Sequence, residues 1–221
     1  IECDCICVSG FWTPSIHLAS QSGNKSEFNE KIDAFIPKKS KQNENTIGSA
    51  NGKFTLEETI NEAFDKGYEV SNKITENNNK VSMPTVVEKK STEHDKFWCV
   101  PLPKGKSYKR FLDFQNDVAV TDIELALREG FRSIEHVKRY TTLGMATDQG
   151  KTSNLNGLQL VSDIENKVVP QVGHTTFRPP YTPVSIGAIV GREVGKHSKP
   201  TRKSPMHQWH EKNNAVFVDA G

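Results

Sequence analysis

The sequence predicts a mixed chain of the α+β or α/β class, made of three parts: the end of a nucleotide-binding sheet, a small helical domain and the first strand of another domain. Three observations predict this organisation. A short strand runs into a glycine-rich turn and a capped helix between Thr46 and Lys66. Three short helices with tight connections follow between Phe111 and Asp163. The apolar run from Ala215 to Asp219 predicts a strand at the end of the chain.

The composition limits the classes of function. The chain has 221 residues, of which 34% are hydrophobic, enough for one ordinary domain or two small ones. Its formal net charge of +2 is too small to indicate a general nucleic-acid or membrane-surface binder. The sequence contains no apolar run of the length of a transmembrane helix. Because the chain starts at Ile1 with neither a Met nor a signal peptide, we expect an internal piece of a longer polypeptide.

The first predicted strand carries three cysteines. Cys3, Cys5 and Cys7 alternate along Glu2–Val8, so their side chains share one face of the strand. Zinc sites more often separate their cysteines by two residues, and the remaining cysteine, Cys99, is distant in sequence. We therefore interpret the three as small buried side chains, with no metal site, and expect reduced thiols in a cytoplasmic protein.

The segment before the helical domain predicts two further elements. One is a helical or turn segment around Ile16 to Ser20, and the other is a helix. Thr55 and Glu58 form a capping box for this helix, which should run from Leu56 to Lys66 and end at Gly67. The glycine turn before this helix is typical of a site for a phosphate or diphosphate.

The helical domain follows a polar linker. The composition of residues 71–96 predicts the linker, and Phe97–Pro101 predicts a short strand. A capping box at Thr121 and Glu124 begins the first helix, which should end at Gly130. Gly144 closes the second helix, and the third should begin near residues 149–152. Three prolines in residues 176–183 then predict an extended arm.

The triplet Gly150-Lys151-Thr152 is typical of the end of a phosphate-binding P-loop. The first glycine of that motif would stand at Met145, whereas the nearest glycine is Gly144, and a helix precedes the loop where a strand is required. These two departures exclude a nucleoside triphosphatase of the P-loop type. Backbone amides at a helix start, an ammonium and a hydroxyl nevertheless suit a phosphate.

Other candidate chemistries are less well supported. We interpret His136, His207 and His210 as surface or interdomain imidazoles, and we find no spacing that signals a catalytic nucleophile. A helix-turn-helix DNA reader would use Lys138 and Arg139 on the second helix, but the net charge disfavours it. A non-catalytic helical binding module stays open as an alternative function.

Several ordered motifs together resemble the alpha subunits of heterotetrameric sarcosine oxidases. The resemblance covers nearly the whole chain, and its central run is long enough to be specific. The motifs that carry it are Val8–Pro14, Ser20–Gly23, Gly48–Gly52, Asp113–Val118, Asp122–Ala126, Arg128–Thr142, Gly144–Met145, Thr147–Thr152, Phe177–Pro183 and Ser204–Asp219.

The resemblance implies a division of the chain. It is expected to contain the C-terminal part of a Rossmann-like NAD-binding domain of the pyridine-nucleotide-disulfide-reductase kind, a small helical FMN-interface domain, and the start of an aminomethyltransferase-like folate-binding domain. The helical domain is similar to the bacterioferritin-associated-ferredoxin type, without its cluster cysteines. The expected boundaries are 1–70 for the NAD-binding part, 71–96 for the linker, 97–170 for the helical domain, 171–203 for a Pro-rich and basic connector, and 204–221 for the folate-binding part.

The resemblance also implies an activity and a set of cofactors. The family oxidatively demethylates sarcosine to glycine and passes the one-carbon unit to tetrahydrofolate. FAD lies in the beta subunit, FMN lies at the alpha/beta interface, NAD is bound by the alpha subunit, and gamma and delta subunits complete the assembly. The piece alone is expected to have no turnover, and no catalytic residue is assigned to it.

The implied cofactor contacts fall on two turns. For the FMN phosphate or ribityl chain the resemblance implies Thr147, Gln149, Gly150, Lys151 and Thr152. For NAD it implies Ser49, Ala50, Asn51 and Gly52. No iron–sulfur cluster is expected, because residues 113–117 and 147–152 contain no cysteine.

Overall fold

A computed structural model describes residues 12–75, 81–86, 97–177, 179–198 and 201–218. The chain divides into two compact units, with the boundary between Thr182 and Pro183. Within the described ranges, no helix has both the length and the apolar character needed to cross a membrane. The strand predicted over Glu2–Val8, with its three cysteines, lies outside the described residues.

The first unit combines helices with two small antiparallel hairpins, which confirms the mixed α and β class. A 3₁₀ turn over Gly48–Asn51 precedes the longest helix. In chain order the elements are α1 (His17–Gln21), β1 (Ser26–Asn29), β2 (Ala34–Pro37), α2 (Leu56–Thr75), β3 (Phe111–Asp113), β4 (Val118–Ala119), α3 (Val120–Arg128), α4 (Ile134–Thr141), α5 (Asn154–Glu165) and α6 (Val169–Val172).

The hydrophobic core lies among α3, α4 and α5, the three helices that the sequence predicts. Ile123, Val137 and Val161 each come from one of these helices and are at most 1% exposed. Burying each such side chain stabilises the fold by about 1.5–3 kcal/mol. Phe28 and Phe35 of the β1–β2 hairpin meet edge to face, with ring centroids 5.2 Å apart, and pack against this core. The hairpin and the helical core therefore belong to one unit.

The start of α3 differs from the prediction. Asp122 is the third residue of the helix, and its carboxylate accepts a hydrogen bond from the Ala119 N–H at 2.7 Å. The helix therefore begins at Val120, and the capping box predicted at Thr121 and Glu124 is wrong. Thr121 is already helical because the buried strand β4 runs directly into α3.

The end of α3 agrees with the prediction. Gly130 has a φ of +96°, and its N–H donates to the Leu127 carbonyl. The next amide, of Phe131, donates to the Ala126 carbonyl at 3.1 Å. These two bonds form a Schellman motif, which requires the left-handed residue that glycine supplies.

Helix α2 is longer than the sequence predicts. It passes through Gly67 and ends at Thr75, nine residues beyond the predicted end. One exposed glycine costs a helix only about 1 kcal/mol, and the ion pairs of Glu69 with Lys66 and Lys73, each at 2.7 Å, offset part of that cost.

The predicted N-terminal cap of α2 is confirmed. The Thr55 hydroxyl accepts the Glu58 N–H at 3.2 Å and donates to the Glu58 carboxylate at 2.9 Å. We expect Thr55→Ala to lower the free energy of unfolding by about 1 kcal/mol, because the Glu58 amide loses its partner. Urea unfolding followed by circular dichroism measures the change. Thr55→Ser keeps the hydroxyl and is the control; an equal loss in both variants would contradict the capping role.

Some predicted strands do not form. Residues 44–47 and 97–101 have no regular secondary structure, so the strands predicted at Thr46 and at Phe97–Pro101 are wrong. Short apolar runs do not reveal whether a partner strand lies beside them. Conversely, β1 and β2 arise from a segment without clear periodicity, and they are held by pairing with each other.

The second unit contains α7 (Ile186–Val190), a 3₁₀ turn (Gly195–Ser198) and α8 (His207–Lys212). Ser185 caps helix α7 by accepting the Ala188 N–H at 3.2 Å. Residues 215–218 form no strand, so the strand predicted from Ala215 is absent over its described part.

Candidate functional site

The triplet Gly150-Lys151-Thr152 lies in a turn, not in the helix that the sequence predicts there. Helix α5 begins at Asn154, two residues beyond Thr152. Gly150 has a φ of +75°, and a Cβ placed on it would lie 2.2 Å from side-chain atoms of Asn154. The turn therefore requires glycine at this position, both for its backbone and for its packing.

The Asp148 carboxylate already accepts hydrogen bonds from the backbone amides that we expected to bind a phosphate. Its carboxylate accepts the N–H of Gly150 at 3.1 Å, the N–H of Thr152 at 3.3 Å and the Thr152 hydroxyl at 2.7 Å. Burial raises the pKa of Asp148, but these hydrogen bonds and the nearby Lys151 charge outweigh it and leave the pKa below its ordinary value. The turn therefore carries its own anion, an arrangement that the sequence did not indicate.

Lys151 is held against the arm that follows α6. Its Nζ donates to the Tyr181 carbonyl at 3.1 Å and lies 3.8 Å from the centroid of the Tyr181 ring. The His17 ring stacks on the same tyrosine, with centroids 3.3 Å apart and planes 7° apart. Burial, together with the Lys151 charge, lowers the pKa of His17, which favours its neutral form. Burial likewise raises the pKa of Tyr181.

The turn forms one wall of a cleft of about 390 Å³, which lies within the size range of small-molecule sites. Aromatic side chains from distant parts of the chain line it, and the Phe177 and Tyr181 rings meet edge to face at 5.3 Å. Its lining residues include Trp12, Phe35, Lys151, Thr152, Phe177 and Tyr181. The cleft therefore combines apolar ring surfaces with the Lys151 ammonium and several hydroxyl groups.

Two further polar residues line the cleft. The Asn154 Nδ2 donates to the Thr175 hydroxyl at 3.0 Å, whereas its buried Oδ1 has no hydrogen-bond partner. The His174 Nδ1 lies 3.0 Å from the Thr175 carbonyl, and its Nε2 lies 2.6 Å from the Ser26 hydroxyl. Because a carbonyl only accepts, Nδ1 carries a proton, and the tautomer with its proton on Nδ1 accepts the Ser26 hydroxyl at Nε2. The lone Asn154 oxygen is buried between two glycines, and it would lie 2.0 Å from a Cβ placed on Gly144 and 2.2 Å from one placed on Gly150.

The structure brings together three of the five residues implied for FMN. Gly150, Lys151 and Thr152 line the cleft. The Thr147 hydroxyl instead donates to the Gln115 side chain at 3.1 Å. The Gln149 side chain donates to the Pro180 carbonyl, and so ties the turn to the arm.

The second predicted turn, Ser49–Gly52, is fastened to helix α2. The Glu62 carboxylate accepts the Gly48 N–H and the Asn51 side-chain amide, both at 2.7 Å. A Cβ on Gly52 would lie 2.6 Å from the Ile32 side chain, so this glycine serves close packing. Ser49 is exposed and Ala50 half-buried, while Asn51 lines a separate, larger cleft.

Among the described residues, no group of three or more His, Cys, Asp or Glu side chains could hold a metal ion. Cys99 is a free thiol, and the Arg110 guanidinium lies 3.1 Å from its sulfur.

Comparisons with known proteins identify relatives of the whole chain. Residues 107–192 match the sarcosine oxidase A3 domain. The full chain is 39% identical to sarcosine oxidase subunit alpha from Rhizobium meliloti (strain 1021), and it covers 22% of that protein. It is 35% and 33% identical to the proteins of the same name from Corynebacterium sp. strains U-96 and P-1, and it covers 23% of each. The chain thus spans about a fifth of the length of these relatives.

A solved structure shares the fold. The crystal structure of L-proline dehydrogenase from P. horikoshii superimposes with a TM-score of 0.50 at 20% sequence identity. The match covers 81% of this chain and 37% of that one. At this identity the likeness concerns the fold alone, and it agrees with the mixed α and β class.

Proposed function

Because this chain is related along its whole length to sarcosine oxidase alpha subunits, we propose that it is part of an oxidoreductase complex that demethylates sarcosine to glycine. In this proposal the one-carbon unit passes to tetrahydrofolate, which is bound by an aminomethyltransferase-like domain that begins near Ser204. The beta subunit carries FAD and the amine site, gamma and delta subunits complete the assembly, and no residue of this chain is assigned to catalysis.

We further propose that the cleft beside Gly150–Thr152 holds FMN. The observation that carries this proposal is the juxtaposition of the Lys151 ammonium with the Phe177 and Tyr181 rings in one cleft. An ammonium suits a phosphate group, and ring surfaces suit the flat ring system of a flavin. When bound, FMN would supply one step in the passage of electrons from the amine to the final acceptor.

The residues of the cleft fit such a group in two respects. Thr152 offers a hydroxyl, and Lys151 offers a charge. The Gly150 and Thr152 amides are bonded to Asp148, so the positive charge of Lys151 is the main attraction for a phosphate. Thr147 and Gln149 would act through Gln115 and Pro180, by fixing the position of the turn.

Lys151→Ala in the full subunit complex tests this assignment. We expect FMN retention after gel filtration to fall about tenfold or more, because the phosphate loses its cation, while FAD in the beta subunit is retained. The measurement is the molar ratio of each flavin to protein after acid extraction.

Lys104→Ala is the matched control. Lys104 is exposed and does not line the cleft, so the same charge change there should leave both flavins in place. Full FMN content in Lys151→Ala would contradict the assignment. Loss of both flavins from either variant would indicate damage to the assembly.

The NAD part of the proposal concerns the turn Ser49–Gly52 and rests on the resemblance. Glu62 supports it by accepting the Gly48 N–H and the Asn51 side-chain amide, which gives the turn a defined shape. Glu62→Gln should weaken the hydrogen bonds of this side chain to Gly48 and Asn51, and should reduce the NAD content of the complex without loss of FMN. Equal NAD content in the variant complex would contradict this assignment.

The alternative function, a helical binding module without a cofactor, makes a different prediction. Such a module would associate with a beta subunit and carry no flavin at any stage. Reconstitution with the beta subunit followed by absorbance spectroscopy separates the two functions, since only the first yields bound FMN.

A further inference from the structure

A second and larger cleft lies between the turn of residues 37–46 and the C-terminal half of helix α2. Its volume is about 980 Å³. Five lysines line it and only two carboxylates, which leaves an excess of three positive charges in one concave surface. The lysines are Lys38, Lys39, Lys41, Lys66 and Lys73.

Both carboxylates in the cleft are already engaged. Glu69 bonds to Lys66 and Lys73, and these hydrogen bonds lower its pKa to about 2, so it stays ionised at neutral pH. One oxygen of Glu44 accepts hydrogen bonds from Ser40 at 2.8 Å and from Asn24 at 3.1 Å. These bonds fasten the lysine-bearing turn to the end of α1 and give it a defined shape.

Two lysines remain uncompensated. Lys38 lies 3.9 Å from Glu27, whereas Lys39 and Lys41 are exposed and have no ion pair within the part of the chain that the structure describes. The lysine ammonium groups of the cleft repel one another at low salt. An anion that enters the cleft therefore reduces this repulsion and also forms ion pairs with the lysines.

The chemistry of the lining discriminates between kinds of anion. The cleft residues include no Phe, Tyr, Trp or Arg among those described, so it lacks a surface on which a nucleobase would stack. Val70 and Ile74 lie on the same face of α2 as Lys66 and Lys73, and both are exposed. Lys66 and Ile74 are eight positions apart on the helix, a rise of about 12 Å, which is the length of about four residues of extended chain.

We propose that this cleft binds an acidic peptide segment of about four residues, in which carboxylates alternate with aliphatic side chains. The carboxylates pair with Lys39 and Lys41, and the aliphatic side chains contact Val70 and Ile74. Such a segment would come from a neighbouring domain or subunit, which makes the cleft a docking surface. This proposal does not depend on a flavin in the other cleft.

The test uses the complete chain and a fluorescein-labelled hexapeptide of alternating Glu and Leu. We expect saturable binding by fluorescence anisotropy, weakened by added salt, and a loss of about tenfold or more in affinity for the double variant Lys39→Glu/Lys41→Glu. A second double variant, Val70→Ser/Ile74→Ser, should weaken binding with little change in the salt dependence.

The matched control is Lys104→Glu/Lys106→Glu, which has the same charge change and spacing outside the cleft. Unchanged affinity in this control, with loss in the cleft variant, supports the proposal. Equal losses in both pairs would overturn it and indicate only a general charge effect. It would also be overturned if NAD displaced the peptide, since the cleft would then serve a nucleotide. Circular dichroism of each variant establishes that the fold is retained.

Discussion

Asp113→Ala is expected to lower the free energy of unfolding by about 3–5 kcal/mol, a large share of the stability of an ordinary domain. Asp113 is 2% exposed. One carboxylate oxygen accepts the Gly144 N–H at 2.8 Å, and the other accepts the N–H groups of Gln115 at 2.9 Å and Asn116 at 3.2 Å. Removal of the carboxylate leaves three backbone donors without a partner, and the Gly144 donor is buried.

The same change should affect the cofactor cleft. Asp113 joins the β3–β4 hairpin to the segment after α4, and Gln115 in that hairpin receives both the Thr147 hydroxyl and the Asp148 N–H. Loss of the Asp113 hydrogen bonds therefore loosens the turn that carries Lys151. Urea unfolding of the whole chain measures the stability, and FMN retention in the complex measures the second effect.

Two controls separate the carboxylate from the general effect of substitution. Asp113→Asn keeps an oxygen that can accept on one side only, so it should lose about half as much stability as the alanine variant. Glu124→Ala removes an exposed carboxylate of α3 and should change stability by less than about 0.5 kcal/mol. If Asp113→Ala were as stable as the Glu124 variant, the junction would have no structural role.

The sequence predicted those parts of the fold whose signals are local. The cap at Thr55, the Schellman end at Gly130 and the apolar faces of α3, α4 and α5 depend on residues within five positions of each other. The hairpin β1–β2 depends on pairing and on packing against a distant core, which no periodicity in its own residues reveals. The opposite error, at Phe97–Pro101, has the same cause, because within the described ranges no strand lies beside that apolar run to pair with it.

The sequence predicts only one of the two segments that face each other across the candidate site. Gly150, Lys151 and Thr152 were identified from their order in the sequence, and they line the cleft. Tyr181, which faces them, follows by thirty residues and was interpreted only as part of an extended arm. Asp148 lies two residues before Gly150, but its hydrogen bonds to the Gly150 and Thr152 amides depend on the backbone of the turn. That turn exists because α5 begins at Asn154, later than the sequence predicts.

Gly150→Ala is the second large expected effect. At a φ of +75° an alanine costs about 1–2 kcal/mol, and its Cβ would occupy the place of the Asn154 amide, 2.2 Å away. To make room, Asn154 must give up its hydrogen bond to Thr175, which adds about 1–2 kcal/mol. We therefore expect a total loss of about 2–4 kcal/mol in urea unfolding, together with weaker FMN retention in the complex.

Gly105 provides the comparison that separates the two causes. Its φ of +73° is nearly the same, but a Cβ placed on it meets nothing within 4 Å. Gly105→Ala should therefore show only the backbone cost and leave FMN retention unchanged. The difference between the two variants measures the packing of Asn154 against the turn. Because Gly150 and Asn154 both line the cleft, a difference in stability without a difference in FMN retention would place the flavin elsewhere.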